Sequence, residues 1–237
     1  MIKSFVEKIL ELAVVESKTL DGRLYTTKKV HPVYEPEIDC LGLCTLTGIQ
    51  DYIAENLDRA ATSNTMIHVQ NYRTVRLVGP LSGDFLQRQT LVSSQAHECG
   101  FPFDRYLDRE EFQVGLMSAF MPTPERDQVL RYVSGIVQSA EVKTADDGIS
   151  QRVTAKAGIA RIAEVDLPNP VKLQPYRTFI EAAQPESEFV FRVRQDQDCK
   201  RVTMALFEAD GGRWKLEAAL NIKDWLLKNI PEARVIV

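Results

Sequence analysis

Over residues 2–15 apolar side chains recur every three or four positions, and Ile2, Phe5, Val6, Ile9, Leu10 and Ala13 share one side of an amphipathic helix. The pattern then shortens. Between Thr19 and Thr27 two brief apolar stretches flank Asp21-Gly22, which predicts a hairpin, and Pro32 and Pro36 keep residues 31–39 extended. Thr47-Gly48-Ile49-Gln50 resembles a capping box and predicts a helix through about Leu57, with Ile49, Ile53 and Leu57 on one face. Met66–Val69 and Thr74–Val78 alternate apolar with polar residues, so they predict strands joined by a turn at Asn71. Gly79-Pro80 and Ser82-Gly83 punctuate the next connection, ahead of a strand at Gln87–Ser93.

Helical signals dominate the middle of the chain. Asp108 and Glu111 form a second capping box, followed by Phe112, Leu116 and Phe120 at helical spacing and by Pro122 as a stop. Thr123-Pro124 restarts a helix at once, with threonine as N-cap and proline in the first helical position. That helix points Val129, Val133, Ile136, Val137 and Ala140 inward and is expected to run to about Lys143. After Asp146-Asp147-Gly148 alternation and proline take over. Strands are expected at Ser150–Ala155, Ala160–Leu167, Phe189–Arg194 and Val202–Glu208. Asp210-Gly211-Gly212 reads as a tight turn, and Leu216–Ile230 as a closing helix with Ala219, Ile222, Leu226 and Ile230 in one group.

Strands do not alternate regularly with helices, so the order favours α+β: a mixed or antiparallel sheet with a central pair of helices and a C-terminal helix. The same order of arm, strand pair, central helix and later sheet is similar to capsid-like shells, an analogy of element order alone. One domain over residues 1–237 is expected, with a helical arm at about 1–18 and an extended proline-rich segment at about 163–187. A length of 237 residues with 44% hydrophobic content supports a sizeable core.

Lys+Arg 29 against Asp+Glu 33 gives a net charge of -4, which argues against binding duplex DNA through an overall positive field. Charges interrupt the first residues, so no signal-peptide core is expected there. No apolar run approaches the roughly 18 residues of a membrane span. A cytoplasmic location without membrane contact follows as the expectation. Cys40, Cys44, Cys99 and Cys199 are few and irregularly spaced, which fits reduced thiols. Cys40-x3-Cys44 with His97-Glu98-Cys99 could supply zinc ligands, but the spacing matches no common finger, and buried thiols are the plainer expectation. No P-loop, nucleophile elbow or catalytic cysteine signature is present, and no cofactor, metal or catalytic residue is assigned. Asp198-x-Lys200 lies in a polar run read as a loop rather than a nuclease motif. What remains is a basic surface. Arg192 and Arg194 share one strand face, opposite Phe189 and Phe191, and Arg161 and Arg177 lie in or beside predicted strands. These four arginines are the candidates for a subunit contact or for binding single-stranded nucleic acid.

Several segments together resemble the YfdQ-like family of tailed-phage and prophage proteins. They are Thr45-Leu46-Thr47-Gly48, the run from Phe101 to Asp108, Pro168-Asn169-Pro170-Val171, Pro175-Tyr176-Arg177-Thr178-Phe179, Gln184-Pro185-Glu186-Ser187, and Leu206-Phe207-Glu208-Ala209-Asp210-Gly211-Gly212. The resemblance spans about residues 20 to 227 and implies a phage-encoded protein in a bacterial cytoplasm, not a particular activity. Three functions are compatible with it: a non-enzymatic homo-oligomer that self-assembles, an accessory of phage DNA replication or recombination that binds single strands, and an enzyme whose site assembles from distant residues. Self-assembly is the leading expectation, because a well-patterned chain without recognisable chemistry is what a structural protein shows.

Overall fold

A computed structural model describes residues 2–13, 17–20, 23–26, 39–60, 64–82, 86–97, 99–135, 141–146, 151–156, 168–195 and 202–237. The fold is α+β. In chain order its elements are α1 (Ile2–Ala13), β1 (Ser17–Leu20), β2 (Arg23–Thr26), β3 (Leu41–Leu43), α2 (Leu46–Ala54), β4 (Met66–Asn71), β5 (Thr74–Ser82), β6 (Gln87–Gln95) and β7 (Leu107–Asp108). They continue as α3 (Arg109–Ala119), α4 (Pro124–Gly135), β8 (Glu141–Asp146), β9 (Gln151–Lys156), β10 (Val171–Leu173), β11 (Ser187–Gln195), β12 (Val202–Glu208), α5 (Arg213–Asn229) and β13 (Val235–Ile236). The chain divides into two compact units, Met1–Glu37 and Ile38–Val237. The first holds α1 and the antiparallel pair β1–β2, whose register runs from Ser17↔Thr26 to Leu20↔Arg23, while the Asp21-Gly22 turn expected from the sequence lies outside the described residues.

The second unit is built on two sheets. A five-stranded mixed sheet runs β13-β4-β5-β6-β3: β4, β5 and β6 form an antiparallel meander, while β13 joins β4 and β3 joins β6 in parallel. A four-stranded antiparallel sheet runs β10-β11-β12-β7. β8 and β9 pair with each other as a separate two-stranded ribbon.

Each sheet buries one face. Beneath the mixed sheet α2 and α5 contribute Leu46, Ile49, Ile222 and Leu226 to a largely aliphatic core with Ile67, Val75, Leu77 and Val92. Beneath the antiparallel sheet α3 and α4 contribute Phe112, Leu116, Val129 and Val133, which meet Phe189, Phe191, Met204 and Leu206. Alternation in β11 follows its pattern: Phe189, Phe191 and Val193 are buried, Arg192 is half-buried and Arg194 exposed. Gly115 permits a close approach in this core, since a Cβ there would stand 2.8 Å from the Phe101 ring.

The helix signals hold where the caps are local. Asp108 Oδ1 accepts from Glu111 N at 2.8 Å, and Thr123 Oγ1 from Arg126 N at 3.2 Å. Elsewhere the structure corrects the sequence reading. Thr45, not Thr47, caps α2, and the helix ends at Ala54, because Asn56, Asp58 and Arg59 adopt positive φ and leave Leu57 exposed. β5 continues through Gly79-Pro80 to Ser82, with its register slipping between Val78 and Leu81, an irregularity that accommodates a proline without a ladder donor. Residues 141–143 belong to β8 rather than to a helix, since β-branched Val142 and Thr144 sit in a ladder paired with Ala155 and Val153. α5 begins at Arg213, so Gly211-Gly212 joins a strand to a helix, with both glycines at positive φ. In the described part of the proline-rich segment, 168–187, Val171, Leu173, Phe179, Gln184 and Ser187 are buried within the unit. The expected extended stretch at 31–38, the strand at 160–167, Arg161, Cys199, and Ile136, Val137 and Ala140 lie outside the described residues. No helix among the described residues is long and apolar enough to cross a membrane.

Candidate functional site

Arg177 lies where the two cores meet. The chain leading to it is tied to the antiparallel half by Met121 N donating to Gln174 O and Tyr176 N to Ala119 O. The chain after it enters the other half, where Thr178 Oγ1 donates to Tyr72 O at 2.6 Å and Phe179 packs in the aliphatic core. Gln184 holds the intervening turn. Its Oε1 accepts from Arg177 N and Thr178 N, and its Nε2 donates to Phe179 O and Ala182 O. Buried side-chain amides of this kind replace the ladder hydrogen bonds that an irregular segment lacks.

The guanidinium is packed among rings. Its central carbon is 4.1 Å from the Phe103 ring centre, 4.4 Å from Trp214 and 5.0 Å from Phe189. Phe103 and Phe189 stack at 5.4 Å, and Tyr72 meets Trp214 edge-on at 4.7 Å. Glu208 Oε1 stands 2.9 Å from Nη2, close enough for an ion pair, yet the angles do not make a hydrogen bond, and Nη1 has no hydrogen-bond partner among the described residues. Burial lowers the pKa of Arg177, and the charges of Glu208, Cys99 and Asp210 oppose that shift. The negative faces of the rings take over part of the work of water around the cation. Chemically this is a charged pin between two cores rather than a reacting centre. The expectation of a surface arginine at 177 is therefore corrected: only 4% of the residue is exposed.

A cleft of about 900 Å³ opens beside this junction, and Cys44, His97, Cys99, Tyr176, Ile180 and Glu181 are among its lining residues. It brings together Cys44, His97 and Cys99 of the zinc constellation, without Cys40. Among the described residues no three His, Cys, Asp or Glu side chains gather to hold a metal ion. Cys40 and Cys44 are exposed and Cys99 half-buried, so the expectation of buried thiols fails for the first two, which flank the short edge strand β3 ahead of α2. Burial pushes the Cys99 thiol up, against a hydrogen bond from Phe101 and the charge of Arg177, which is the wrong direction for a thiolate nucleophile. Glu181 is already engaged as a cap. Its Oε1 accepts from Leu46 N at 2.9 Å and Thr47 N at 3.3 Å, at the N-terminus of α2. A carboxylate arriving from 134 positions away leaves no trace in local spacing.

Arg192 and Arg194 stand together on the outer face of the antiparallel sheet, while Arg177 lies inside the fold and apart from them. Two aromatic residues that the sequence reading missed share that outer face. Phe207 is paired with Val190 in the β11–β12 ladder, and Tyr106 meets Phe207 edge-on at 5.9 Å. For Phe207 the signal was the odd-even parity of β12, which becomes usable only once its register with β11 is known, whereas Tyr106 precedes β7 and joins the face through its contact with Phe207. A second missed feature is on α5, where Leu216, Leu220 and Leu227 are exposed on the side away from Ala218, Ala219, Ile222 and Leu226. No family model matches the chain, and no curated protein or solved structure is found similar to it.

Proposed function

We propose that this chain is a non-enzymatic protein that self-assembles, in the phage-infected or lysogenic bacterial setting implied by its resemblance to the YfdQ-like family. The observation that carries the reading is the outer seam of α5. Leu216, Leu220, Lys223 and Leu227 follow one another at spacings of four, three and four residues, the seam along which one helix packs on another. The opposite side of the same helix is already committed to the aliphatic core. A helix apolar on two sides needs two partners. The seam also suits a second copy of itself, since Glu217 and Asp224 border it and Lys223 lies within it. Half-exposed leucines on two copies contribute about 5–9 kcal/mol on burial, against an association cost of roughly 4–15 kcal/mol. The two ranges overlap, so an α5 contact by itself holds a dimer only weakly and at high concentration, and a capsid-like shell requires at least one further interface.

Light scattering after size exclusion tests this. The expected result is a mass that is a multiple of 26.8 kDa and rises with concentration, and that falls toward one chain in Leu220→Glu with an unchanged circular-dichroism spectrum. A single-chain mass at all concentrations up to about 100 μM, or a Leu220→Glu protein of undiminished mass, overturns the reading.

A further inference from the structure

We infer that the outer face of the β10-β11-β12-β7 sheet is a platform for single-stranded nucleic acid, a property that goes beyond self-assembly and uses a different surface. The strand register builds it. Val190 pairs with Phe207, Arg192 with Ala205 and Arg194 with Thr203, so short side chains on β12 lie beside both arginines. Ala205 is fully covered, whereas Arg194 is exposed and Tyr106 is 42% exposed at the edge of the face. The Arg194 guanidinium lies 5.9 Å from the Tyr106 ring, and the Tyr106 ring is in turn set against Phe207. Cation and ring thus stand side by side at the surface, and among the described residues no carboxylate forms an ion pair with Arg194.

This is the pairing that single strands need. A base stacks on an exposed ring while the adjoining phosphate meets an arginine. A duplex hides its bases, and a net charge of -4 supplies no general field to attract one. α3 and α4 lie on the opposite face of the sheet with the core. Glu188 shares the outer face near Lys172, and Asp108 lies opposite Thr203 at the β7 edge. Acidic groups therefore bound the platform at both ends and confine it to a few nucleotides. Two phosphate contacts predict a salt slope of about -1.4 on logarithmic axes.

Fluorescence anisotropy of a labelled oligothymidylate with the full chain tests the inference. Binding should weaken about sevenfold between about 50 and 200 mM salt. Tyr106→Ala should weaken it by roughly tenfold, with Tyr106→Phe unchanged. Arg192→Ala/Arg194→Ala should flatten the salt slope, with Arg194→Lys preserving it. Leu220→Glu should bind as the parent does, which separates this surface from the α5 seam. Lack of binding at about 100 μM protein, equal affinity for the matching duplex, or indifference to Tyr106→Ala and to the double arginine variant overturns it.

Discussion

The core under β10-β11-β12-β7 is aromatic and the core under β13-β4-β5-β6-β3 aliphatic, and they are assembled differently. Phe101, Phe112 and Phe120 meet edge-on at 5.0–5.8 Å and reach Phe189 and Phe191 on the sheet. The rings come from two stretches of chain, between 101 and 133 and between 171 and 206. In the other half the antiparallel meander of β4, β5 and β6 is closed by parallel strands from far along the chain, with Val235 against Ile67 and Leu41 against Val92. Leu46, Ile49, Leu77, Ile222 and Leu226 fill its interior. The difference accounts for where a buried cation is tolerated. Ring faces attract a guanidinium, whereas aliphatic side chains only desolvate it. Arg177 accordingly rests on Phe103, Phe189 and Trp214 at the boundary, while the next residues pass into the aliphatic half.

Emptying each core is the strongest way to break the comparison. Phe112→Ala should cost about 3–5 kcal/mol and Leu77→Ala about 2–5 kcal/mol, both residues being fully buried. Residues 38–237 form one compact unit, so denaturant melts followed by near- and far-UV circular dichroism should remain coincident in both variants. An early far-UV transition in Leu77→Ala that leaves the near-UV signal intact would show that the halves unfold separately.

The boundary comes next. Arg177→Ala removes a buried cation together with its packing and should cost about 3 kcal/mol, toward the lower end for broken buried pairs because Glu208 is 32% exposed and can regain water. Arg177→Met keeps bulk among the rings and should cost less than half as much. Equal losses in the two variants would assign the effect to charge rather than packing.

Each core also holds one shifted tyrosine. Tyr52, on the aliphatic side, is pushed up from 10.0 to about 12 by burial, helped by the hydrogen bond its hydroxyl donates to Asp58 at 2.6 Å. Tyr132, on the aromatic side, is pushed up to about 12 by burial alone. In the unfolded chain both phenols ionise near 10, so their contribution is complete below that pH and is lost as pH rises toward about 12. The loss amounts to at most about 3 kcal/mol for Tyr132 and to less for Tyr52, whose hydroxyl is more open to solvent screening. Denaturant midpoints at about pH 8 and about pH 11 should differ less in Tyr52→Phe or Tyr132→Phe than in the parent, and an unchanged difference in both would remove the tyrosines from the account.

Much of the fold follows from neighbours along the chain. The Asp108 and Thr123 caps, the turn at Asn71 with its side chain accepting from Arg73 N and Thr74 N, and the alternation of β11 are contests decided within a few residues. Capping, turn chemistry and strand parity are local in this sense, so type and position of these elements are readable from spacing. Where the sequence reading slipped, a distant partner intervened. Gly79-Pro80 stays in a strand because β6 pairs on both sides of the bulge. Arg177 looks like any polar residue near a proline until three rings from separate segments close over it.

By itself the sequence determined the α+β class, the local starts of α3 and α4, and the separation of core from outer residues on β11, since each depends on backbone preference and short-range periodicity. Only the tertiary structure decided that Arg177 is a pin, that Glu181 caps α2, that Tyr106 and Phe207 join Arg194 on one face, and that Leu216, Leu220 and Leu227 remain uncovered. These depend on which surfaces meet, and that is set by the summed burial of two cores rather than by any one residue's neighbours.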